Sequence, residues 1–399
     1  MATTPASVPV ERGPLATSAR VVLPLLLLAG VIALFLYSKG AGLNVTPAAP
    51  IETVQFARTI LRPGQIELQV RNTSPQSITV AQVSINEALW AYTISPGPTI
   101  PRLGRAVVRL NYPWVQGEAY EITLHSGNSI LFSTSVPVAT TTATVSGRSL
   151  WSFSLIGIYV GVVPVVLGMF WLPVLARLGP RGMTFLMSAT VGLLLYLGID
   201  ASTEALEVAG ELGSPFQGTG IVGIGIIGTI LLLEAVSRSQ MRADTGEAAR
   251  RMSLATMIAV GIGLHNLGEG LAIGAAYAVG AAALGTFLVI GFIIQNITEG
   301  LGIVVPIARD RPKLRTLGFL ALIGGAPAIA GAWIGGLLYS QALSTLFLAV
   351  GAGAVFQVAY QIGREMIWKG AAERQRPWAA LTGVLTGMLM LYLTGVVIK

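Results

Sequence analysis

The side chains best suited to chemistry lie in two six-residue blocks, His265-Asn266-Leu267-Gly268-Glu269-Gly270 and Gln295-Asn296-Ile297-Thr298-Glu299-Gly300. Each block holds an imidazole or amide, then an Asn, then a carboxylate four residues after the first position. On a helix, residues four apart are offset by about 40° and residues three apart by about 60°. His265 and Glu269 therefore share a face, with Asn266 on the other side of Glu269. Gln295, Glu299 and Asn296 stand in the same relation. Both blocks sit in segments apolar enough to span a bilayer, where ionisable groups are expensive and mark function. A short connection around Gly280 makes the two helices antiparallel neighbours. If their polar faces oppose, His265, Glu269, Gln295 and Glu299 converge, and Asn266 and Asn296 lie within reach of the same two carboxylates.

Such a cluster suits a divalent cation. Two carboxylates balance its charge, and imidazole and amide oxygen complete a mixed nitrogen and oxygen shell. That shell favours Zn²⁺, Fe²⁺, Mn²⁺ or Cd²⁺ over soft Cu⁺, and an all-oxygen Ca²⁺ or Mg²⁺ cage has no use for the imidazole. Without thiolates the affinity is moderate, as conduction requires, because the ion must also leave. The metal is then cargo, and no prosthetic group is called for. An enzyme is not expected. There is no His-Glu-x-x-His, no triad is recognisable, and of the two histidines only His265 falls in an apolar segment.

The elements that position these blocks are legible from composition. The chain has 399 residues, 53% hydrophobic and only 11% charged, which is the balance of a polytopic membrane protein. It has no cysteine, which excludes disulfides and thiolate metal sites. The net charge of +7 does not imply nucleic acid, because the basic residues cluster in short loops between apolar runs. Residues 1–20 form a polar tail. Residues 21–37 form an apolar anchor, read as retained rather than cleaved because no small-x-small site follows and Lys39 intrudes. Residues 46–140 alternate in short runs, such as Ile66-Glu67-Leu68-Gln69-Val70, separated by Pro, Gly and Asn, and predict a small antiparallel β-sandwich. A Thr/Ala linker at 139–144 leads on.

Residues 150–399 form an all-α polytopic membrane domain with about eight spans, near 153–175, 182–199, 220–236, 252–278, 282–307, 317–338, 343–363 and 377–398. Alternate connections carry Arg177 and Arg181; Arg238, Arg242, Arg250 and Arg251; Arg309, Arg311, Lys313 and Arg315; and Arg364, Lys369, Arg374 and Arg376. With the anchor counted, the positive-inside rule puts the N-terminus in the cytoplasm and the β-domain and C-terminus outside. Asp200, Glu204, Glu207 and Glu211 follow the second span on one helical face, with no Lys or Arg between Arg181 and Arg238. An acidic stripe at a pore mouth concentrates cations; the plain reading is a solvated loop helix. Gln357 and Gln361 mark an exit pathway or a simple interhelical bond. In the β-domain, His125 reads as a structural histidine, and Trp90, Tyr92, Tyr112 and Trp114 as a core or interaction patch.

Both blocks resemble the fourth and fifth helices of the ZIP (zinc/iron-regulated-transporter-like) family of divalent metal transporters, whose motifs run His-Asn-x-x-Glu-Gly and His/Gln-x-x-x-Glu-Gly. The resemblance covers about residues 150–399. It implies an eight-helix bundle, a primary metal site from His265, Glu269, Gln295 and Glu299, and a secondary site using Asn266 and Asn296 with the shared carboxylates. It also implies a homodimer and alternating access. Departures from the family pattern are Gly268 and Thr298 in place of Pro, Asn296 where Asp is frequent, Ala326 where a carboxylate often stands, and a loop at 237–251 without His. These make the secondary site weak or absent. The expected function is transport of Zn²⁺ or a similar ion toward the cytoplasm. Two rivals remain: a proton- or cation-coupled carrier of an organic solute, and a non-transporting metal sensor that reports through the β-domain.

Overall fold

The computed structural model describes residues 14–38, 51–243, 246–278, 282–368 and 377–398. The start of the expected tail, residues 46–50 of the expected β-domain, the connection around Gly280, and Lys369, Arg374 and Arg376 lie outside the described residues. Two units result, one up to Ile51 and one from Glu52 onward. The first contains helix α1 (Pro14–Tyr37), which begins ahead of the apolar run expected at 21–37 and carries Pro24 within it. Its apolar stretch Val22–Phe35 is shorter than the spans of the second unit.

The second unit opens with a β-domain. Its strands are β1 (Val54–Arg62), β2 (Gln65–Asn72), β3 (Ile78–Ile85), β4 (Ala88–Leu89), β5 (Tyr92–Ser95), β6 (Thr99–Ile100), β7 (Arg105–Leu110), β8 (Tyr120–Ser126) and β9 (Leu131–Val136). One sheet runs β1-β2-β7-β5, the other β4-β3-β8-β9, and β6 pairs with β3. Pairing is antiparallel throughout. Alternation delivers one face of each sheet to a common core: Ile66, Leu68 and Val70 meet Val108, Leu110, Ile122 and Leu124. Pro63 and Gly64 turn β1 into β2, with Gly64 at a φ of +73° that a side chain would strain. The expected linker at 139–144 is not free. Ala139 is fully buried in the sandwich core, and Thr142 exchanges hydrogen bonds with Leu61 through its backbone N–H (3.0 Å) and its Oγ1 (2.9 Å).

The rest is helical: α2 (Gly147–Gly157), α3 (Val163–Met169), α4 (Leu172–Leu175), α5 (Pro180–Gly210), α6 (Gly218–Ala243), α7 (Glu247–Ala278), α8 (Ala282–Val304), α9 (Leu314–Gly325), α10 (Pro327–Leu338), α11 (Gln341–Trp368) and α12 (Pro377–Ile398). Ser146 caps α2, its Oγ accepting the Ser149 N–H at 3.1 Å. A π turn over Ile158–Val162 joins α2 to α3. Grouped into continuous rods, these helices supply eight segments long and apolar enough to cross a membrane. The most enclosed is α7, with 78% of its apolar window buried, against 17% for α12. The helix carrying the first block is therefore the axis of the bundle.

Two spans depart from the expected bounds. The second does not stop near residue 199. Ala201, Ala205 and Ala209 continue its buried stripe at four-residue spacing and carry α5 to Gly210, so the acidic residues belong to the span helix itself. The sixth divides at Ala326 into α9 and α10, because Pro327 has no N–H with which to continue the ladder.

Glycine makes the close approaches possible. A Cβ at Gly387 would stand 2.0 Å from the Ala189 carbonyl, and one at Gly331 or Gly335 would stand 2.1 Å from the carbonyls of Leu267 or Leu271. Gly387→Ala is therefore expected to destabilise the bundle by about 1–3 kcal/mol. Gly228→Ala, with nothing within 4 Å, should leave the melting temperature unchanged or raised. Thermal unfolding of both variants in detergent checks this.

Candidate functional site

The two blocks meet in the bundle core. His265, Asn266 and Glu269 are buried on α7, Asn296 and Glu299 are buried on α8, and Gln295 is half-buried between them. His265 Nε2 lies 3.4 Å from Glu269 Oε1. One ligand atom each from His265, Glu269 and Glu299 lie within 4.8 Å of one another, so one ion can touch all three. Gln295 Nε2 donates to Glu269 Oε1 at 2.5 Å and stands 3.5 Å from both Glu299 Oε1 and His265 Nε2. This amide nitrogen faces the carboxylates and bridges them as a cation would. Turning the amide over would expose Oε1 to them, which needs a cation in between or a proton on a carboxylate.

The two asparagines are held by backbone carbonyls of the first and sixth spans. Asn296 Nδ2 donates to Val160 O at 2.9 Å. In an α-helix that carbonyl would take the N–H of residue 164, but Pro164 has none, and the π turn opens the ladder there. Asn266 Nδ2 donates to Gly324 O at 2.9 Å, at the break between α9 and α10. Asn296 Nδ2 also donates to Glu269 Oε2 at 2.9 Å, fixing that carboxylate. Asn266 Oδ1, Asn296 Oδ1 and Glu299 Oε2 are left buried with no donor. A cluster of orphaned acceptors around two carboxylates is costly unless a cation or protons satisfy it. Among the described residues no Lys or Arg pairs with Glu269 or Glu299. The sixth span contributes the Gly324 carbonyl where Ala326 has no ligand to give.

The acidic stripe divides in space. Glu204 is half-buried and lies within electrostatic reach of His265 and Glu269. Asp200 and Glu207 are exposed on the same helix. Glu211 belongs to a different contact, accepting from Gln341 Nε2 at 2.9 Å.

At the other end, Gln357 Nε2 donates to Glu234 Oε2 at 3.3 Å, and Glu234 Oε1 also accepts from Arg238 (2.7 Å) and Arg364 (2.9 Å). Gln357 thus helps tie α6 to α11, and its Oε1 and that of Gln361 are buried without donors. Beside this end, Thr184, Met187, Arg251, Arg309 and Glu365 line a cavity of about 260 Å³. Arg251 closes on Asp310 with two bonds, Nε to Oδ2 at 2.8 Å and a terminal nitrogen to Oδ1 at 2.7 Å.

In the β-domain, His125 Nε2 and Ser84 Oγ are hydrogen-bonded at 3.0 Å across β3 and β8. Trp90 and Tyr112 stack edge-on at 5.0 Å, and Tyr112, Trp114 and Tyr92 pack against the sandwich core.

The carbonyls of Val160 and Gly324, the ion cluster at Glu234 and the Arg251–Asp310 pair were not among the expected site residues. The first had a signal, since a proline four residues beyond a carbonyl in a membrane helix frees that carbonyl. Glu234 and Arg238 stand at the i,i+4 spacing of a helical ion pair, but Arg251–Asp310 and Arg364–Glu234 had no signal, because their partners lie 59 and 130 residues apart.

Comparison with protein-family models gives no match for this chain, and comparison with curated proteins gives none either.

Two buried carboxylates with only the His265 imidazole beside them, and no Lys or Arg partner among the described residues, destabilise the protein. Replacing both by amides, Glu269→Gln with Glu299→Gln, is expected to raise its melting temperature in chelator-treated buffer by a few degrees. Differential scanning fluorimetry reads this, and a lowered value would contradict the electrostatic account.

Proposed function

We propose that the protein carries divalent metal ions, Zn²⁺ or an ion of similar preference, across a membrane toward the cytoplasm. The observation that supports this most directly is the group His265, Glu269 and Glu299, within 4.8 Å of one another in the core of a bundle of eight apolar spans. The orphaned oxygens of Asn266, Asn296 and Glu299 add acceptors on the same side of the ledger. The motif resemblance to the ZIP family points the same way.

In this reading Glu269 and Glu299 supply charge, His265 supplies a nitrogen ligand, and Gln295 turns its oxygen inward once the ion arrives. Dehydrating a dication costs heavily, and two carboxylates in a medium of low dielectric offset that cost. Asn296 acts as a positioning residue, since both protons of its amide are already committed to Val160 O and Glu269 Oε2. A second ion beside the first finds no added carboxylate, so one ion per chain is expected. Glu204 is the natural relay from the exposed Asp200 and Glu207 to His265. The basic loops face the cytoplasm by the positive-inside rule, which puts the β-domain end outside and makes the cavity near Glu365 the exit.

Uptake of Zn²⁺ into proteoliposomes tests this. Glu299→Ala and His265→Ala should each lose at least tenfold in rate, equivalent to about 1.4 kcal/mol or more of binding or barrier. Wild-type rates in both would refute the assignment. Neutralising Asp200 and Glu207 together should raise the apparent KM severalfold, more at low ionic strength, with little change in maximal rate. An unchanged KM would remove the entrance role.

A further inference from the structure

At the end of the bundle where α10 stops and α11 begins, the β-domain rests on the helices. Gln55 Nε2 donates to Gln341 Oε1 at 2.5 Å, and Arg58 donates to Leu337 O at 3.1 Å. A cavity of about 250 Å³ remains beside these contacts, lined by Gln69, Arg71 and Arg105 from the strands and by Phe216, Tyr339 and Gln341 from the helical side.

Its charge is unbalanced. Arg71 and Arg105 are direct register partners on β2 and β7, so their side chains leave the sheet on the same face. Like charges directly opposite on paired strands repel. No carboxylate lines the cavity, and Glu211, nearby, is already engaged by Gln341. Neither arginine forms an ion pair among the described residues. Arg71 is nonetheless held in place: its Nε donates to Leu103 O at 3.2 Å, and its guanidinium stacks 4.5 Å from the Phe216 ring centre. Burial and then the Arg105 charge hold the Arg71 guanidinium below its ordinary pKa, as expected of a cation lacking its counterion. Tyr339, pushed up to about 12 by burial and the Glu211 charge, stays protonated and able to donate.

We propose that this cavity binds a phosphate group, with Arg71 and Arg105 as its paired guanidinium ligands and Tyr339 as a hydroxyl donor from the bundle. Two planar forks match the charge and the oxygen geometry of phosphate. The position favours it too, for the cavity lies where two apolar spans end and two begin, at the level of a bilayer surface. The phosphate is either free in solution or part of an anionic lipid headgroup. Bound there, it bridges strands to helices and locks the β-domain to the bundle. This inference does not depend on metal transport and is tested without metal.

The full-length protein in phosphatidylcholine nanodiscs is titrated with inorganic phosphate by calorimetry in chelator-treated buffer. In parallel, native mass spectrometry counts phosphatidylglycerol retained from mixed nanodiscs. The wild type is expected to bind in one of the two arms, and Arg105→Gln to weaken that binding at least tenfold. Arg105 is exposed, so its variant should keep the wild-type melting temperature. Arg71→Gln should show the same loss. Saturable phosphate binding identifies a free oxyanion; lipid retention without a phosphate response identifies a headgroup. No binding in either arm by the wild type, or binding undiminished in both variants, overturns the proposal.

Discussion

Glu269 and Glu299 lie in the core of a bundle of apolar helices, close to one imidazole and three neutral amides and, among the described residues, paired with no Lys or Arg. Two negative charges in such a place are unfavourable by several kcal/mol each unless something neutralises them. Nearly every polar contact around them answers to that constraint. Gln295 spans the two carboxylates with its amide nitrogen, and Asn296 donates to Glu269 from the far side. Amides are partial remedies, since they bring hydrogen bonds without charge. The oxygens of Asn266, Asn296 and Glu299 that receive no hydrogen bond add three further acceptors around the pair.

The same constraint reaches outward through the backbone. Donors tied to Val160 O and Gly324 O draw the first and sixth spans against the two central helices. Proline supplies one of these acceptors by removing a competing N–H, and glycine lets the helices come near enough to use them. A Cβ at Gly161 would stand 2.2 Å from Gly325 O, and one at Gly270 would stand 2.1 Å from Ala328 O. The helix α10 then serves two neighbours. Its glycines seat it on α7 beside the carboxylates, and its Leu337 carbonyl accepts from Arg58 of the β-domain. A change at the β-domain junction therefore has a continuous packed route to the core.

Much of this was legible in the residues. The register of the two blocks followed from helical spacing alone, and the small β-domain from alternation such as Ile66, Leu68 and Val70. The span count followed from hydropathy. Other features were not legible, for identifiable reasons. Hydropathy averages ended the second span near residue 199, because Asp200 and Glu204 outweighed the alanine stripe that actually carries α5 to Gly210. The Thr/Ala segment at 139–144 read as a linker because nothing local reveals that Ala139 fills the sandwich core. The orientation of the Gln295 amide depends on neighbours on another helix, which spacing does not encode. The Arg364–Glu234 contact and the Arg71–Arg105 pairing are long-range in sequence and needed the fold.

The central claim is that one dication is gripped by an imidazole and two carboxylates from neighbouring helices. X-ray absorption at the zinc edge, on purified protein loaded with one equivalent of Zn²⁺, tests it most directly. The account predicts a shell of oxygen with a single imidazole at about 2.0–2.1 Å, and loss of the imidazole scattering in His265→Ala. A shell of water oxygens alone, or an imidazole signal unchanged in that variant, would contradict it.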